Sequence, residues 1–311
     1  MSPKVSVVIV TKNRAQYLFH AIQSVLKQSF TNFELIVIDA ASTDNTEDIV
    51  RKSFSDARIR YVRLIEDVGL SRSRNLGIKL SRSNFIAFLD DDDLWMPNKL
   101  ETQLKAIEDK NNIGAVYTGY LKIDSDGRIV GVRLPFLRGK IYPRILYKNF
   151  IGGCSTILVK KECLEKVGMF DEVLCYAEDW DLWIRVAKYY PFDYIKEPLV
   201  LCRVHNQQLT STIGLHRLQN FQYMYKKHMG ELLKYKKALG AWHYNLGILY
   251  FEFGNTKNGR KAFLQSIFYD PTSIHYYARL FFSLFGLRYY KLLSTHVHSN
   301  LRSHLGSRIQ I

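Results

Sequence analysis

Phe85-Ile86-Ala87-Phe88-Leu89-Asp90-Asp91-Asp92-Asp93 is the stretch on which the reading of the whole chain turns. Five apolar residues without a polar interruption read as a strand buried on both faces. Four carboxylates follow with no spacer. Neighbouring like charges repel by roughly 1–4 kcal/mol, depending on the effective dielectric. A cation offsets that cost, and Mg²⁺ or Mn²⁺ suits clustered carboxylate oxygens best. The alternative is a solvated turn in which one aspartate caps a helix beginning near Pro97.

The residues before this stretch alternate strand and helix patterns. A β-branched run at 5–10 reads as a first strand. Tyr17, Leu18, Ala21, Ile22, Val25 and Leu26 then recur at helical spacing. Residues 34–38 form a second strand, and Ser42-Thr43-Asp44-Asn45 supplies N-cap chemistry for a helix to about Phe54. A third strand is expected at 59–64, a helix at 70–80, the acidic strand at 85–89 and a helix at 97–109. This order predicts an α/β chain with a doubly wound, mostly parallel, Rossmann-like sheet. In such sheets ligands bind beyond the carboxyl ends of the strands. Thr11, Lys12, Asn13 and Arg14 follow the first strand, Asp39 the second, Glu66 and Asp67 the third, and Asp90 to Asp93 the fourth. Acids and bases far apart in sequence then meet on one edge, an arrangement suited to a metal bound to a phosphorylated ligand.

Residues 111–214 are less regular. A short strand is expected at 115–117, a hairpin turn at 123–129, a loop entering a strand at 152–159, a helix at 178–190 and a strand at 199–204. Glu178-Asp179-Trp180-Asp181 opens that helix. Asp179 points away from the face shared by Glu178 and Asp181, and a carboxylate looking into a cleft is a good general base. The alternative is an N-cap acid. Arg72, Arg74 and Asn75 open the helix after Gly69, where arginine holds phosphate, pairs with the strand-end acids, or is simply solvated. His205, after the last strand, is a candidate metal or diphosphate contact, although a lone histidine is more often structural.

The chain has 311 residues, 47% hydrophobic and 23% charged, enough for one large domain or two smaller ones. Its net charge of +15 is uneven. Residues 215–311 hold 14 Lys+Arg against 3 Asp+Glu, whereas 1–214 hold 30 against 26. A basic, aromatic-rich tail on a nearly balanced body points to nucleic acid, an anionic membrane surface or acidic substrates. The four cysteines, Cys154, Cys163, Cys175 and Cys202, fit neither a CxxC metal motif nor a disulfide framework. With no signal-peptide pattern at Met1-Ser2-Pro3-Lys4 and no run of 18 apolar residues, the expected location is cytoplasmic.

Taken together, these blocks resemble family 2 glycosyltransferases, inverting nucleotide-sugar enzymes of the GT-A fold. The resemblance spans residues 4 to about 212. It rests on Val5-Ser6-Val7-Val8-Ile9-Val10-Thr11-Lys12-Asn13-Arg14, Glu34 to Asp44, Gly69 to Gly77, Phe88 to Trp95, Val167 to Glu172, Glu178 to Asp181 and Arg203-Val204-His205. It implies that Thr11 and Asp39 lie against the donor's base and ribose. Arg74 and Asn75 line the donor pocket. Asp90-Asp91-Asp92 matches the DxD element: Asp92 is the direct metal ligand, with Asp90 and His205 toward the metal and Asp91 toward the donor sugar. Asp93 is left as structural. Asp179 matches the catalytic base. Asn13, Arg14, Arg72, Glu178 and Trp180 complete the expected substrate-binding set.

The implied cofactor is Mn²⁺ or Mg²⁺. The implied donor is a nucleotide-sugar, UDP-linked by preference, and the acceptor is a glycan or lipid-linked saccharide of a bacterial surface polysaccharide. Ala40 stands where many members carry a second aspartate that reads the base, which weakens the preference for uridine. The implied organisation is a catalytic domain over 1–214, with a nucleotide-sugar half (1–110) and an acceptor half (111–214), and a basic helical tail over 215–311. Within that tail, His243 to Pro271 resembles one tetratricopeptide repeat through Leu246-Gly247, Tyr250, Gly254, Phe263 and Pro271. It departs at Gly259 and Ser266, where alanine is usual. The tail reads first as a helical hairpin packed on the catalytic body, with a partner-docking arm as the alternative, and its basic charge suits contact with an anionic membrane. A sugar-phosphate nucleotidyltransferase is the second enzymatic reading, but Thr11-Lys12-Asn13-Arg14 lacks the Gly-rich phosphate loop that class needs. An inactive body serving as an interaction module is the third, and retention of Asp92 and Asp179 argues against it. No nucleic-acid motif is present.

Overall fold

The β-branched runs line up beside the acidic strand. The structure, a computed structural model, describes residues 2–110, 112–205 and 214–287. Strands β1 (Val5–Thr11), β2 (Phe33–Asp39), β3 (Ile59–Arg63) and β4 (Phe85–Asp90) form a parallel block in the order β3-β2-β1-β4. Register pairs Thr11 with Asp39 and Val10 with Asp90. The polar residues that end three strands therefore lie level with one another. Helices α1 (Ala15–Leu26), α2 (Thr46–Ser53) and α3 (Leu70–Leu80) make the crossovers. Asp44 starts α2 by accepting from the backbone N–H of Thr46 (3.1 Å).

Beyond β4 the sheet turns mixed. Strands β5 (Leu94–Trp95), β6 (Ala115–Ile123), β7 (Ile129–Arg133), β8 (Ile157–Lys160) and β9 (Phe192–Arg203) complete a nine-stranded sheet, in the order β4-β8-β6-β9-β5 with β7 on β6. β8 runs antiparallel to β4 and β6, whereas β6 and β9 are parallel. Helices α4 (Lys99–Ile107), α5 (Arg144–Tyr147), α6 (Lys161–Val167) and α7 (Glu178–Ala187) accompany this half. β9 begins seven residues earlier than its apolar run at 199–204 foretells. Asp193, Lys196 and Glu197 interrupt the apolar pattern there, and the strand is specified by pairing with β6 rather than by its own residues.

One face of the parallel block is sealed by α1 and α4. Leu18, Ile22, Val25, Leu100 and Leu104 meet Val7, Ile9, Val37 and Leu89 in a fully buried cluster. On the other face α3 comes so close to β1 that a Cβ built on Gly77 would overlap the Val8 side chain. That approach sets the height at which α3 presents Arg74.

The chain divides into two compact units: residues 1–145 with 149–208, and residues 146–148 with 209–311. In the second unit helices α8 (His216–Leu232), α9 (Lys236–Glu252), α10 (Thr256–Tyr269) and α11 (Ile274–Leu284) follow one another. Phe251 and Phe263 are fully buried and stack with centroids 5.6 Å apart. Gly247 and Gly259 leave the room these two rings fill, which accounts for glycine at 259. Ser266 turns its hydroxyl back to the carbonyl of Phe263 (2.7 Å). Among the described residues no helix is long and apolar enough to cross a membrane.

Gly77→Ala forces α3 away from β1. It should cost about 1–3 kcal/mol, as overpacking of a tight core does, read by urea unfolding at unchanged m-value.

Candidate active site

The level strand ends bring the expected acids into a single polar edge. β4 carries the chain out at Asp90, and the backbone N–H of Asp93 returns to the Asp90 carbonyl (3.0 Å), folding the four acids into one turn. They then separate by partner. Asp93 points inward: its oxygens accept from the Ser155 hydroxyl (2.7 Å) and the Arg203 backbone N–H (3.1 Å). Burial, with the charges of Asp90 and Asp92, holds its carboxyl well above the usual range.

Asp91 is buried between β1 and the turn. It accepts from Thr11 Oγ1 (2.8 Å) and from Arg14 Nη1 (3.0 Å). Burial pushes its carboxyl up to about 7, against the pull of Arg14. Asp92 Oδ2 accepts from the same Arg14 nitrogen (3.1 Å) and lies 3.0 Å from His205 Nε2. Burial and the Asp90 charge raise its carboxyl, with Arg14 and His205 opposing. Tyr17 of α1 stacks on the His205 ring, centroids 4.9 Å apart, and sets its plane.

Arg74 joins the two acidic constellations. Its Nη2 donates to Asp90 Oδ1 and its Nη1 to Glu178 Oε1, both at 2.6 Å. The guanidinium lies 5.3 Å from the centre of the Phe170 ring, and its side chain is 5% exposed. Residues 88 positions apart in sequence are thus held by one planar fork. Asp179, next to Glu178, is half-buried. Its Oδ1 accepts from the Trp180 backbone N–H (2.6 Å) and its Oδ2 from Asn149 Nδ2 (3.1 Å). Burial and the neighbouring Glu178 charge push Asp179 up to about 7, with Arg74 pulling down.

Other expected residues are engaged within the protein. Asn75 clamps the 170–172 loop: its amide donates to the Phe170 carbonyl and accepts from the Phe170 N–H, each at 2.9 Å. Trp180 is buried and its indole N–H donates to the Ile145 carbonyl (2.7 Å). Asn13, at φ 53°, accepts from the backbone N–H of Thr43 (2.7 Å) and so ties the β1 exit to the β2 exit. Asp39 accepts from the Ser42 N–H (2.8 Å) and the Tyr61 hydroxyl. Arg72 is exposed and pairs with Glu172 (2.9 Å).

Three contributors carry no sequence signal of their role. Ser155 accepts from the Asp90 N–H (3.1 Å) while holding Asp93. Asn149 is locked by donating to the Gly152 carbonyl (3.1 Å) and accepting from the Ile151 N–H (3.1 Å), which aims its other amide hydrogen at Asp179. Tyr17 reads only as an apolar helix position.

The model described as Glycosyl transferase family 2 matches residues 6–168. An uncharacterized glycosyltransferase of Rickettsia typhi is 33% identical over 255 residues, 78% of this chain and 77% of that protein. WfgD of Escherichia coli, a UDP-Glc:alpha-D-GlcNAc-diphosphoundecaprenol beta-1,3-glucosyltransferase, is 36% identical over 184 residues, 59% of this chain and 70% of its own length. Residues 1–349 of Staphylococcus aureus TarS in complex with UDP-GlcNAc superpose with a TM-score of 0.64 at 17% identity, covering 96% of this chain and 92% of that one. The Pyrobaculum calidifontis mannosyltransferase PcManGT, in complex with GDP-Man and Mn²⁺, gives 0.58 at 17% identity, covering 97% and 81%. The chain belongs to glycosyl transferase family 2 and is a glycosyltransferase of the GT-A fold.

Arg74→Gln leaves Glu178 and Asp90 without their shared cation. Removing one partner of a buried pair costs about 3–5 kcal/mol, and Asp90, a third exposed, places this case near 3. Denaturant unfolding at neutral pH measures it.

Proposed function

We propose that this chain is a metal-dependent, inverting glycosyltransferase. It moves a sugar from a nucleoside-diphosphate donor, UDP-linked by preference, to a hydroxyl of a lipid-linked saccharide during assembly of a cell-surface polysaccharide on the cytoplasmic side of the membrane. The observation that carries this reading is the Arg74 fork. It ties Asp90 of the strand-end run to Glu178, the neighbour of Asp179, which supports reading a donor site and a base that serve one reaction. The E. coli relative, with its lipid-linked acceptor, supports the acceptor class. The TarS structure, with its UDP-sugar, supports the donor preference, against which Ala40 weighs.

The residues fit a divalent cation. Asp92 offers a carboxylate oxygen and His205 an imidazole nitrogen 3.0 Å from it. Among the described residues no third such side chain converges with them. That suits an ion that fills its shell with substrate phosphates and water and takes only one or two ligands from protein. The burial that disfavours ionised Asp91 and Asp92 is a cost that a cation would offset. A bound cation would stabilise the charge that builds on the departing diphosphate.

The protein's own groups do the rest. Thr11 and Asp39 end adjacent strands and would lie toward the base and ribose, with Ser42 and Tyr61 fixing Asp39. Arg14 orients Asp91 and Asp92. Asp179 takes the proton from the acceptor hydroxyl. The hydroxyl oxygen bonds to the anomeric carbon as the carbon–oxygen bond to the diphosphate breaks on the opposite face, and one such displacement inverts the centre. Asn149 keeps Asp179 Oδ2 at a fixed position and stabilises its charged form.

Asp179→Asn should lower kcat by about 10²–10⁴-fold, the usual worth of a positioned base, with donor affinity nearly unchanged. Wild-type kcat/KM should rise with pH through about 7, because Asp179 is protonated below that value and cannot accept the proton. Asn149→Leu removes a donor to the carboxylate and should move this limb to higher pH. Asp92→Ala should weaken Mn²⁺-dependent binding of the donor at least about tenfold by calorimetry, the scale of losing a metal-site partner.

A further inference from the structure

Strand β7 keeps apolar side chains outside the core on both of its faces. Ile129, Val130, Val132, Leu134 and Phe136 are 43–58% exposed. Side chains alternate along a strand, so Ile129 lies on one face of the β6–β7 ribbon and Val130 and Val132 on the other. Among the described residues β7 pairs only with β6. An apolar edge strand left open in this way, even one of five residues, is a liability unless something covers it.

The surrounding charge indicates what covers it. Lys122, Arg128, Arg138, Lys140 and Arg144 are exposed around the ribbon. Residues 122–144 hold 6 Lys+Arg against 2 Asp+Glu, while the rest of residues 1–214 holds 24 of each. The whole positive excess of the first 214 residues is therefore gathered here. The ribbon also lies close to the chemistry. Phe136 meets Phe150 edge-on, centroids 5.3 Å apart, and Phe150 directly follows Asn149, which holds Asp179.

We propose that the β6–β7 ribbon and the segment through Arg144 dock on an anionic lipid bilayer. The apolar side chains enter the headgroup region and the basic ones meet lipid phosphates. Attachment of this kind grows with buried apolar area and with attraction to anionic lipid. Apolar side chains on both faces, in a segment of net positive charge in which Arg128 pairs with Asp126 (3.0 Å), suit insertion into a fluid interface better than a protein groove, which would cover one face. The proposal rests on the reading of a lipid-linked acceptor, and it places the membrane contact on the catalytic unit in addition to, or instead of, the basic tail.

The test is co-sedimentation of the full chain with phosphatidylcholine vesicles with and without phosphatidylglycerol. The wild type should bind the phosphatidylglycerol vesicles and be released by salt. Val130→Ser/Val132→Ser/Phe136→Ser and Lys122→Ala/Arg128→Ala/Lys140→Ala should each bind about tenfold more weakly. All six positions are exposed, and unchanged near-ultraviolet circular dichroism confirms that the variants fold. Phe281→Ser/Leu284→Ser/Phe285→Ser in the second unit should retain binding within about twofold, since it leaves the ribbon's area and charge intact. Wild-type affinity in both ribbon variants would overturn the proposal. So would absence of wild-type binding, which would leave a protein strand on the open β7 edge as the occupant. Binding is read without donor or acceptor, so its failure leaves the role of Asp179 standing, and inactivity of Asp179→Asn leaves vesicle binding standing.

Discussion

One guanidinium holds the functional half of this molecule together. Arg74 reaches from the first turns of α3 to Asp90 on one side and Glu178 on the other, buried and backed by Phe170. Arginine's planar fork serves both carboxylates at once, Glu178 at 11% and Asp90 at 34% side-chain exposure. The position of that fork follows from packing. Gly77 lets α3 settle on β1, and Asn75 pins the 170–172 loop to the same helix. The placement of Arg74 thus depends on the fit of Gly77 against Val8 and on Asn75, whose amide also donates to Glu172 Oε1 (3.2 Å).

The four aspartates show how one run of identical residues divides into different roles. Asp93 faces the interior, bound by Ser155 and the Arg203 backbone, and acts as a structural tie between β4 and β9. Asp91 lies under Thr11 and Arg14, Asp92 faces His205, and Asp90 turns to Arg74. Desolvation is the largest influence on Asp91, Asp92 and Asp93 alike. Arg14 on one side and Arg74 on the other oppose that cost. Under the proposed function, a cation and a diphosphate complete that balance.

The parallel half was legible because β1, β2 and β4 are short, largely apolar runs buried on both faces, and α3 begins and ends at the residues its pattern predicts. The convergence of Thr11, Arg14, Asp39 and residues 90–93 followed from topology alone. The mixed half was less legible. The first seven residues of β9 carry no apolar pattern because pairing with β6 decides them. The roles of individual polar side chains depended on local loops: Asn75 reads as a pocket residue but binds backbone, and Trp180 turns inward to Ile145. Asn149 gave no signal, because its use depends on the turn at 149–152 placing it beside Asp179.

Under the proposed function, the acids at 90–92 form a donor site that requires both a cation and a diphosphate. The most direct measurement is the melting temperature of the protein with UDP, with Mn²⁺, with both, and with both plus chelator. Binding to the folded state adds about 2.7 kcal/mol at a hundredfold excess over Kd. The melting temperature should rise clearly only when nucleotide and metal are present together, and the chelator should reverse the rise. An equal rise with nucleotide in the absence of metal would contradict that requirement.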